Sequence, residues 1–216
     1  MTNDDQRDVA VAQDGGAGDP YYAYKPAMLG APWEFALRER GLEWQFGRRN
    51  GTIRYDRIQR VRLSFRPMTM QSYRFLTEIW SSDGPKLRIA STSWRNLVEQ
   101  QRHDVEYVAF VKELHRRLDA ADTGAQFAAG SPVPVYWMGV VLLAGILAIM
   151  LFVGGRGLIQ GDWIGAAVMA GLVVLFGWQI GNFLRRNRPL RYRPDAIPEN
   201  VLPNPNAGLA RFRRAG

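Results

Sequence analysis

Residues 136–153 read YWMGVVLLAGILAIMLFV, a run that contains no charged residue. A second uncharged run, WIGAAVMAGLVVLFGWQIGNFL, occupies residues 163–184. As helices rising about 1.5 Å per residue, both runs are long enough to cross the roughly 30 Å hydrocarbon layer of a bilayer. The alternative is a pair of buried helices in a soluble core, but core helices of this length normally keep a polar stripe. The two runs therefore predict an antiparallel pair of transmembrane helices.

Charge on either side of these runs predicts their orientation. The connecting segment GGRGLIQGD (154–162) has one basic residue, whereas five arginines follow the second run: Arg185, Arg186, Arg188, Arg191 and Arg193. The positive-inside rule places such arginines in the cytoplasm. We therefore expect a two-pass protein of a bacterial inner membrane, with both termini cytoplasmic. These arginines are either determinants of topology alone or a patch for lipid headgroups.

The composition of the whole chain suggests its class of partner. The 216 residues carry a net charge of +8 and no cysteine. The basic balance suggests a nucleic acid or a membrane surface. The absence of cysteine excludes disulfides, thiolate metal sites and cysteine nucleophiles. Residues 1–20 are acidic and rich in glycine, which predicts a disordered arm. Residues 185–216 form a basic, proline-rich tail suited to lying along a partner.

Residues 21–120 predict a folded domain, followed by a linker at 121–134. WEFALRERGLEWQF (33–46) alternates apolar and polar residues around Gly41, which indicates a strand pair. VRLSF (61–65), YRFLTEIWS (73–81) and KLRIAS (86–91) continue the strand signals. DVEYVAFVKELHRRL (104–118) has apolar residues at helical spacing. The fold class is therefore α+β, with an antiparallel sheet, one packed helix and the transmembrane pair.

One strand element resembles a known family. Gly51, Ile53, Tyr55, Ile58, Val61 and Leu63 form the pattern G-x-I-x-Y-x-x-I-x-x-V-x-L. With the closing helix, this layout resembles the bacterial pleckstrin-homology-like (PH-like) domain over residues 28–118. The resemblance implies a small antiparallel β-barrel closed by one C-terminal helix, beside transmembrane segments. The basic headgroup motif of eukaryotic members has no counterpart here, so phosphoinositide binding is not implied.

A concentration of arginines lies in and before this element: Arg48, Arg49, Arg54, Arg57, Arg60 and Arg62. One interpretation is a solvated strand face, because the outward positions of an antiparallel strand take polar side chains. Another is a face for anionic lipid, where each basic residue near the surface contributes about 1 kcal/mol. A nucleic-acid surface would interleave exposed aromatics in a recognisable module. Because none is visible, we predict lipid rather than nucleic acid as the partner.

Small residues recur four apart in the apolar runs. Gly177 and Gly181 form G-x-x-x-G, and Ala144 and Ala148 repeat the spacing. Such spacing lets helix backbones approach closely. It serves packing within the hairpin or packing against another subunit.

No catalytic or cofactor motif is visible in the sequence. His103 and His115 have no second ligand at metal-binding spacing, and we interpret them as surface or partly buried helix residues. Phosphate-cradling, dinucleotide and nucleophile motifs are absent. We therefore predict no enzyme, no cofactor, no metal and no small-molecule substrate. The expected function is a membrane-anchored adaptor or scaffold. The alternative is an accessory subunit of a larger inner-membrane complex (respiratory, photosynthetic or transport), bound to other subunits or to itself.

Overall fold

The computed structural model describes residues 19–27, 29–67, 73–94 and 100–203. The chain divides into two compact units, residues 1–128 with 191–216, and residues 129–190. We call the first the sheet domain and the second the apolar hairpin. The predicted acidic arm lies outside the described residues, except for Asp19 and Pro20.

The first sheet is an antiparallel meander of four consecutive strands: β1 (Tyr21–Tyr24), β2 (Trp33–Leu37), β3 (Gly41–Phe46) and β4 (Arg49–Arg54). β2 pairs with β3, so the predicted strand pair around Gly41 is confirmed. Glycine is required at this position because a Cβ would lie 2.4 Å from the Ile53 carbonyl oxygen. The sequence analysis missed β1, whose Tyr22 is fully buried and donates a hydrogen bond to the Ala90 carbonyl.

The second sheet begins with three further antiparallel strands: β5 (Ile58–Pro67), β6 (Tyr73–Ser81) and β7 (Leu87–Ala90). Val61, Leu63 and Phe65 of β5 are buried on one face, as the alternating sequence predicts. Arg62 lies on the opposite face, because successive strand residues alternate sides. Ser64 shares that second face and is nevertheless only 4% exposed.

One helix closes the sheet domain. β8 (Thr92–Trp94) and β9 (Gln100–Arg102) first form a separate antiparallel pair. α1 (Asp104–Ala120) then buries its apolar side, namely Tyr107, Phe110, Val111, Leu114 and Leu118. The Tyr107 hydroxyl hydrogen-bonds the Thr77 hydroxyl of β6 at 2.7 Å, so the helix is tied to the second sheet as well as packed in the core.

The segment 121–134 was predicted to be a linker, but it is not a simple one. It contains β10 (Gln126–Ala129), and with β11 (Leu190–Arg191) the second sheet has the order β11-β10-β5-β6-β7. The physical reason is the burial of Phe127 and Ala129, which alternate on one side of the strand. Phe127 packs 5.2 Å from the ring of His115 and 5.9 Å from that of Tyr192.

The tail also differs from its prediction as an extended peptide for a partner. Its described part packs on the chain's own sheet domain. A short helical turn, Glu199–Val201, lies against β5, and Val201 is fully buried. The apolar tail residues are therefore used within the protein, at least as far as Pro203.

The apolar hairpin contains two long helices, α2 (Val133–Ile159) and α3 (Trp163–Arg186). Both are longer than the predicted 136–153 and 163–184. α2 begins earlier because proline is tolerated in a first helical turn, and it continues through the glycines at 154–157. Both helices are long and apolar enough to span a membrane.

The fold class is α+β with antiparallel sheets and two long apolar helices, as predicted. The barrel expected from the family resemblance is not found as a closed structure in the described part of the chain.

Candidate functional site

The six arginines of the predicted lipid face are divided by the fold. Arg48 and Arg49 are exposed at the turn between β3 and β4, where Gly47 has a φ of +62°. Arg54 ends β4 and lies opposite Gly41 in the register, whereas Arg49 lies opposite Phe46. At about 3.3 Å per residue, the two ends of β4 are roughly 17 Å apart. The structure therefore does not gather the six side chains into one patch.

Arg54 and Arg57 share the single nearby acid. Arg54 makes a bidentate pair with Asp56, with its Nε and Nη2 at 3.0 and 2.8 Å from the carboxylate oxygens. The Nε of Arg57 is 3.9 Å from the same carboxylate. All three side chains are about half exposed or more, so the attraction is screened by water. This turn presents two cations and one anion to solvent.

Arg60 and Arg62 belong to a different surface, the outer face of the second sheet. Arg60 pairs across the strands with Trp80 and hydrogen-bonds Gln126 of β10 at 3.3 Å. The guanidinium of Arg62 lies 5.3 Å from the centre of the Trp80 ring, and the ammonium of Lys86 lies 4.2 Å from it. Such contacts hold cations in place by the ring quadrupole.

Three cations lie within 4 Å of one buried carboxylate on this face. Glu78, whose side chain is 5% exposed, lies 2.5 Å from Lys86 Nζ, 3.7 Å from Arg88 Nε and 3.9 Å from Arg66 Nη2. On the same face, Arg62 lies opposite Glu78 in the register and Arg74 lies opposite Arg66. We call these six residues the sheet-face cluster: Arg62, Arg66, Arg74, Lys86, Arg88 and Glu78. Its formal charge is five positive minus one negative, or +4.

Most of the sheet-face cluster was not predicted from the sequence. The pattern that could have indicated it is the spacing of charged residues by two or four positions: Arg62 and Arg66, Arg74 and Glu78, and Lys86 and Arg88. Residues at such spacing lie on the same face of a strand. The strands themselves were predicted, but the register that aligns Glu78 with Arg62 and Arg88 was not.

His115 of α1 is buried and connects the helix to the tail by a hydrogen bond. The His115 Nδ1–H donates to the Val111 carbonyl at 2.7 Å, and Nε2 accepts from the Tyr192 hydroxyl at 2.9 Å. Burial lowers the pKa of His115 to about 4, although the Val111 carbonyl raises it. The prediction that His115 lies at the surface or is partly buried is wrong, because it is 1% exposed. The signal was its helical spacing from Val111 and Leu118.

Within the apolar hairpin, the predicted packing residues differ in whether they face the other helix. A Cβ on Gly177 would lie 3.9 Å from Leu147, and one on Gly154 would lie 3.1 Å from Met169 Cβ, so both positions face the other helix. A Cβ on Gly181 would meet no atom within 4 Å. Ala144 and Ala148 are exposed. The hairpin thus uses part of its small-residue spacing internally and leaves part on its surface.

The two ends of the hairpin are joined to each other. The backbone N–H of Ser131 donates to the Asn187 carbonyl at 2.9 Å. Gly130 has a φ of +78°, and a Cβ there would lie 2.4 Å from the Arg188 carbonyl oxygen. At the opposite end, Asp162 caps α3 by accepting a hydrogen bond from the Gly165 N–H. The start of α2 and the end of α3 therefore lie at the same end of the hairpin.

The arginines after the apolar run lie close to that joined end. Arg185 and Arg186 occupy the last turn of α3, where cations complement the helix dipole. Arg188, Arg191 and Arg193 follow, and all five side chains are exposed. This placement is compatible with either a topological role or a contact with headgroups.

Among residues 19–27, 29–67, 73–94 and 100–203, no three His, Asp or Glu side chains are grouped as a metal site requires. No protein-family model, curated protein or solved structure matches the chain.

Proposed function

We propose that the protein is a membrane-anchored, non-catalytic adaptor of a bacterial inner membrane. One observation carries the proposal: in the most apolar part of each hairpin helix, only 6% of the residues are buried within the chain. A core helix of a soluble protein is mostly buried. Apolar helices that remain exposed on this scale need another apolar phase, and a bilayer provides it.

The charge distribution supports a cytoplasmic position for both termini. The joined end of the hairpin carries Arg185, Arg186 and Arg188, whereas the opposite end carries one cation, Arg156, and one anion, Asp162. Arginines favour the cytoplasmic side. On this proposal the sheet domain and the tail are cytoplasmic, and the turn between α2 and α3 faces outward.

The sheet domain is the binding module of this proposal, and we propose that it is PH-like. The resemblance implies antiparallel strands followed by one closing helix, and this is supported by the antiparallel strands β1–β7 and by α1, which follows them after the β8–β9 pair. The element from Gly51 to Leu63 connects the two sheets and buries Ile53, Ile58 and Val61. Phosphoinositide specificity is not part of the proposal.

Lipid contact of the predicted arginines, which lie on two separate surfaces of the sheet domain, gives the first prediction. The test uses a chain in which a short Gly-Ser linker replaces residues 130–189, because β10 and β11 are hydrogen-bonded neighbours. We expect it to bind phosphatidylcholine vesicles only when they contain phosphatidylglycerol. Changing Arg54, Arg60 and Arg62 to glutamine should weaken binding by about 3 kcal/mol at most. Vesicle co-sedimentation measures both affinities.

A matched triple variant controls for net charge. Arg40, Lys112 and Arg116 are exposed cations elsewhere on the sheet domain, and changing them to glutamine removes the same charge. Lipid contact through Arg54, Arg60 and Arg62 predicts a smaller loss for this control, and salt should weaken all binding because charges are screened over about 10 Å at 0.1 M. Equal losses, or no vesicle binding at low salt, would reject lipid contact through these three arginines.

A second candidate function is an accessory subunit of a larger inner-membrane complex. Ala144 and Ala148, four residues apart and exposed, favour it, because such spacing permits close approach of another helix. Native mass measurement after extraction in mild detergent separates the candidates: an adaptor gives the mass of one chain, and a subunit gives a larger defined assembly.

A further inference from the structure

The sheet-face cluster has more cation donors than its own carboxylate can satisfy. Among the described residues, the Lys86–Glu78 contact, at 2.5 Å, is the one ion pair of Glu78 within hydrogen-bond distance. Arg66 and Arg88 approach Glu78 at 3.9 and 3.7 Å, which is ion pairing without a hydrogen bond. The guanidinium groups of Arg66 and Arg88 therefore retain donors that Glu78 does not use.

Arg74 of the cluster faces a like charge across the strands. It lies directly opposite Arg66 on the neighbouring strand, and like charges in that position are destabilising. Its Nε is buried and has no hydrogen-bond partner in the described part of the chain. Burial lowers the pKa of Arg74, and the positive charges of Arg66 and Arg88 lower it further, against an opposing effect of Tyr24.

A second buried donor, Ser64, lies on the same face, two residues along β5 from Arg66. Ser64 is adjacent to Arg62 and Arg66 in the alternation of β5, and it is only 4% exposed. Its hydroxyl is buried without a hydrogen-bond partner among the described residues. Unsatisfied buried polar groups are costly in a native protein and require an explanation. The unsatisfied Arg74 Nε and Ser64 hydroxyl, beside three further arginines, have a common explanation in an anion that accepts from both.

We propose that the sheet-face cluster binds a phosphate group through Arg66, Arg74 and Ser64, with Arg62 and Arg88 supplying additional positive charge. Phosphate suits this arrangement better than a carboxylate does. It presents three or four oxygens to donors arriving from two strands, and its charge of about −2 offsets about half of the net +4 of the cluster. The phosphate comes either from a free phosphorylated small molecule or from a lipid headgroup. The inference stands independently of whether the apolar hairpin spans a membrane.

The proposal makes an unusual prediction about stability. Without the anion, Arg74 is a partly buried cation facing another cation, so Arg74→Gln should raise the melting temperature in chloride. The same variant should respond less to phosphate. A merely structural arginine would lower the melting temperature when removed, and its loss would not affect the phosphate response selectively. The opposite signs distinguish a binding residue from a packing residue.

The experiment uses the full chain in neutral detergent, with thermal unfolding followed as inorganic phosphate replaces chloride at constant ionic strength. We expect a saturable rise in melting temperature for the wild type. Arg74→Gln should raise the half-saturating phosphate concentration about tenfold, the loss of one charged hydrogen bond. Ser64→Ala should raise that concentration less and should leave the protein folded. Arg49→Gln, an exposed arginine at the β3–β4 turn, is the matched control and should respond as the wild type does.

Two results would overturn the proposal: no stabilisation by phosphate beyond that in chloride, or the same loss of response in Arg49→Gln as in Arg74→Gln. To identify the source of the phosphate, the melting temperatures are compared in phosphatidylcholine nanodiscs with and without phosphatidic acid. If the headgroup is the source, phosphatidic acid should raise the melting temperature of the wild type but not of Arg74→Gln, and should abolish the response to added phosphate. If a free molecule is the source, the phosphate response should persist in both kinds of nanodisc.

Discussion

Aspartate at both Leu142 and Val174 is expected to prevent stable insertion of the protein into a bilayer. Both side chains are exposed, 64% and 71%, near the middle of α2 and α3. A charged residue at the centre of a transmembrane helix costs about 3 kcal/mol, so the pair should cost roughly 6 kcal/mol. The measurement is the fraction of protein that stays in the membrane pellet after alkaline carbonate extraction, and this fraction should collapse.

The same chemical change near the end of the hairpin is the matched control. Ile159 and Ile164 are even more exposed, at 88% and 80%, but they flank the turn at residues 160–162. Aspartates there can reach water, so the protein should remain in the pellet. If the hairpin were instead a soluble surface, aspartates at Leu142 and Val174 would cost nothing. Retention of that double variant in the membrane at the wild-type level would contradict the proposed span.

Acidification is expected to destabilise the sheet domain through His115. The folded pKa is about 4, below the ordinary value of 6.5, so the unfolded chain binds more protons between these values. The contribution of neutral His115 is therefore complete above about pH 6.5 and is lost as the pH falls toward 4. The loss at pH 4.5 should reach about 2.5 kcal/mol. Urea unfolding of the chain that carries the linker in place of residues 130–189 measures it.

Variants separate His115 from the other titrating groups. His115→Gln should lower stability at pH 7.5 but remove most of the difference between pH 7.5 and pH 4.5. His103→Gln should remove less of that difference, because burial also lowers the pKa of His103 but its side chain is partly exposed at the start of α1. Glu113, whose pKa its Arg116 and Arg117 partners lower to about 2, contributes mainly below pH 4.5. An unchanged pH dependence in His115→Gln would show that the buried imidazole does not control it.

Local patterns were sufficient to predict much of the fold. The uncharged runs at 136–153 and 163–184 predicted two long helices because length and composition alone identify such segments. Alternation predicted β5, and helical spacing predicted α1, because each has an apolar face that is buried. In these elements, the pattern of apolar residues along the local sequence is enough to predict which side chains are buried.

The remaining features depend on contacts between distant residues. β10 has only four residues and is ordered by Phe127 packing on His115 and Tyr192, which lies 65 positions later. The tail is held by a hydrogen bond between residues 77 positions apart. The sheet-face cluster requires the register of three strands, and a shift of one residue would send its side chains to the other face. No local pattern in the sequence specifies these pairings.

The absence of cysteine in the chain makes the orientation of the hairpin directly measurable. Single cysteines would replace Gln160 in the turn between α2 and α3, Asp83 in the sheet domain and Ala196 in the tail, all three exposed. In intact spheroplasts, a membrane-impermeant maleimide should label the cysteine at position 160, and should label those at 83 and 196 only after permeabilisation. Labelling of positions 160 and 196 from the same side, or of position 196 in intact spheroplasts, would contradict the account.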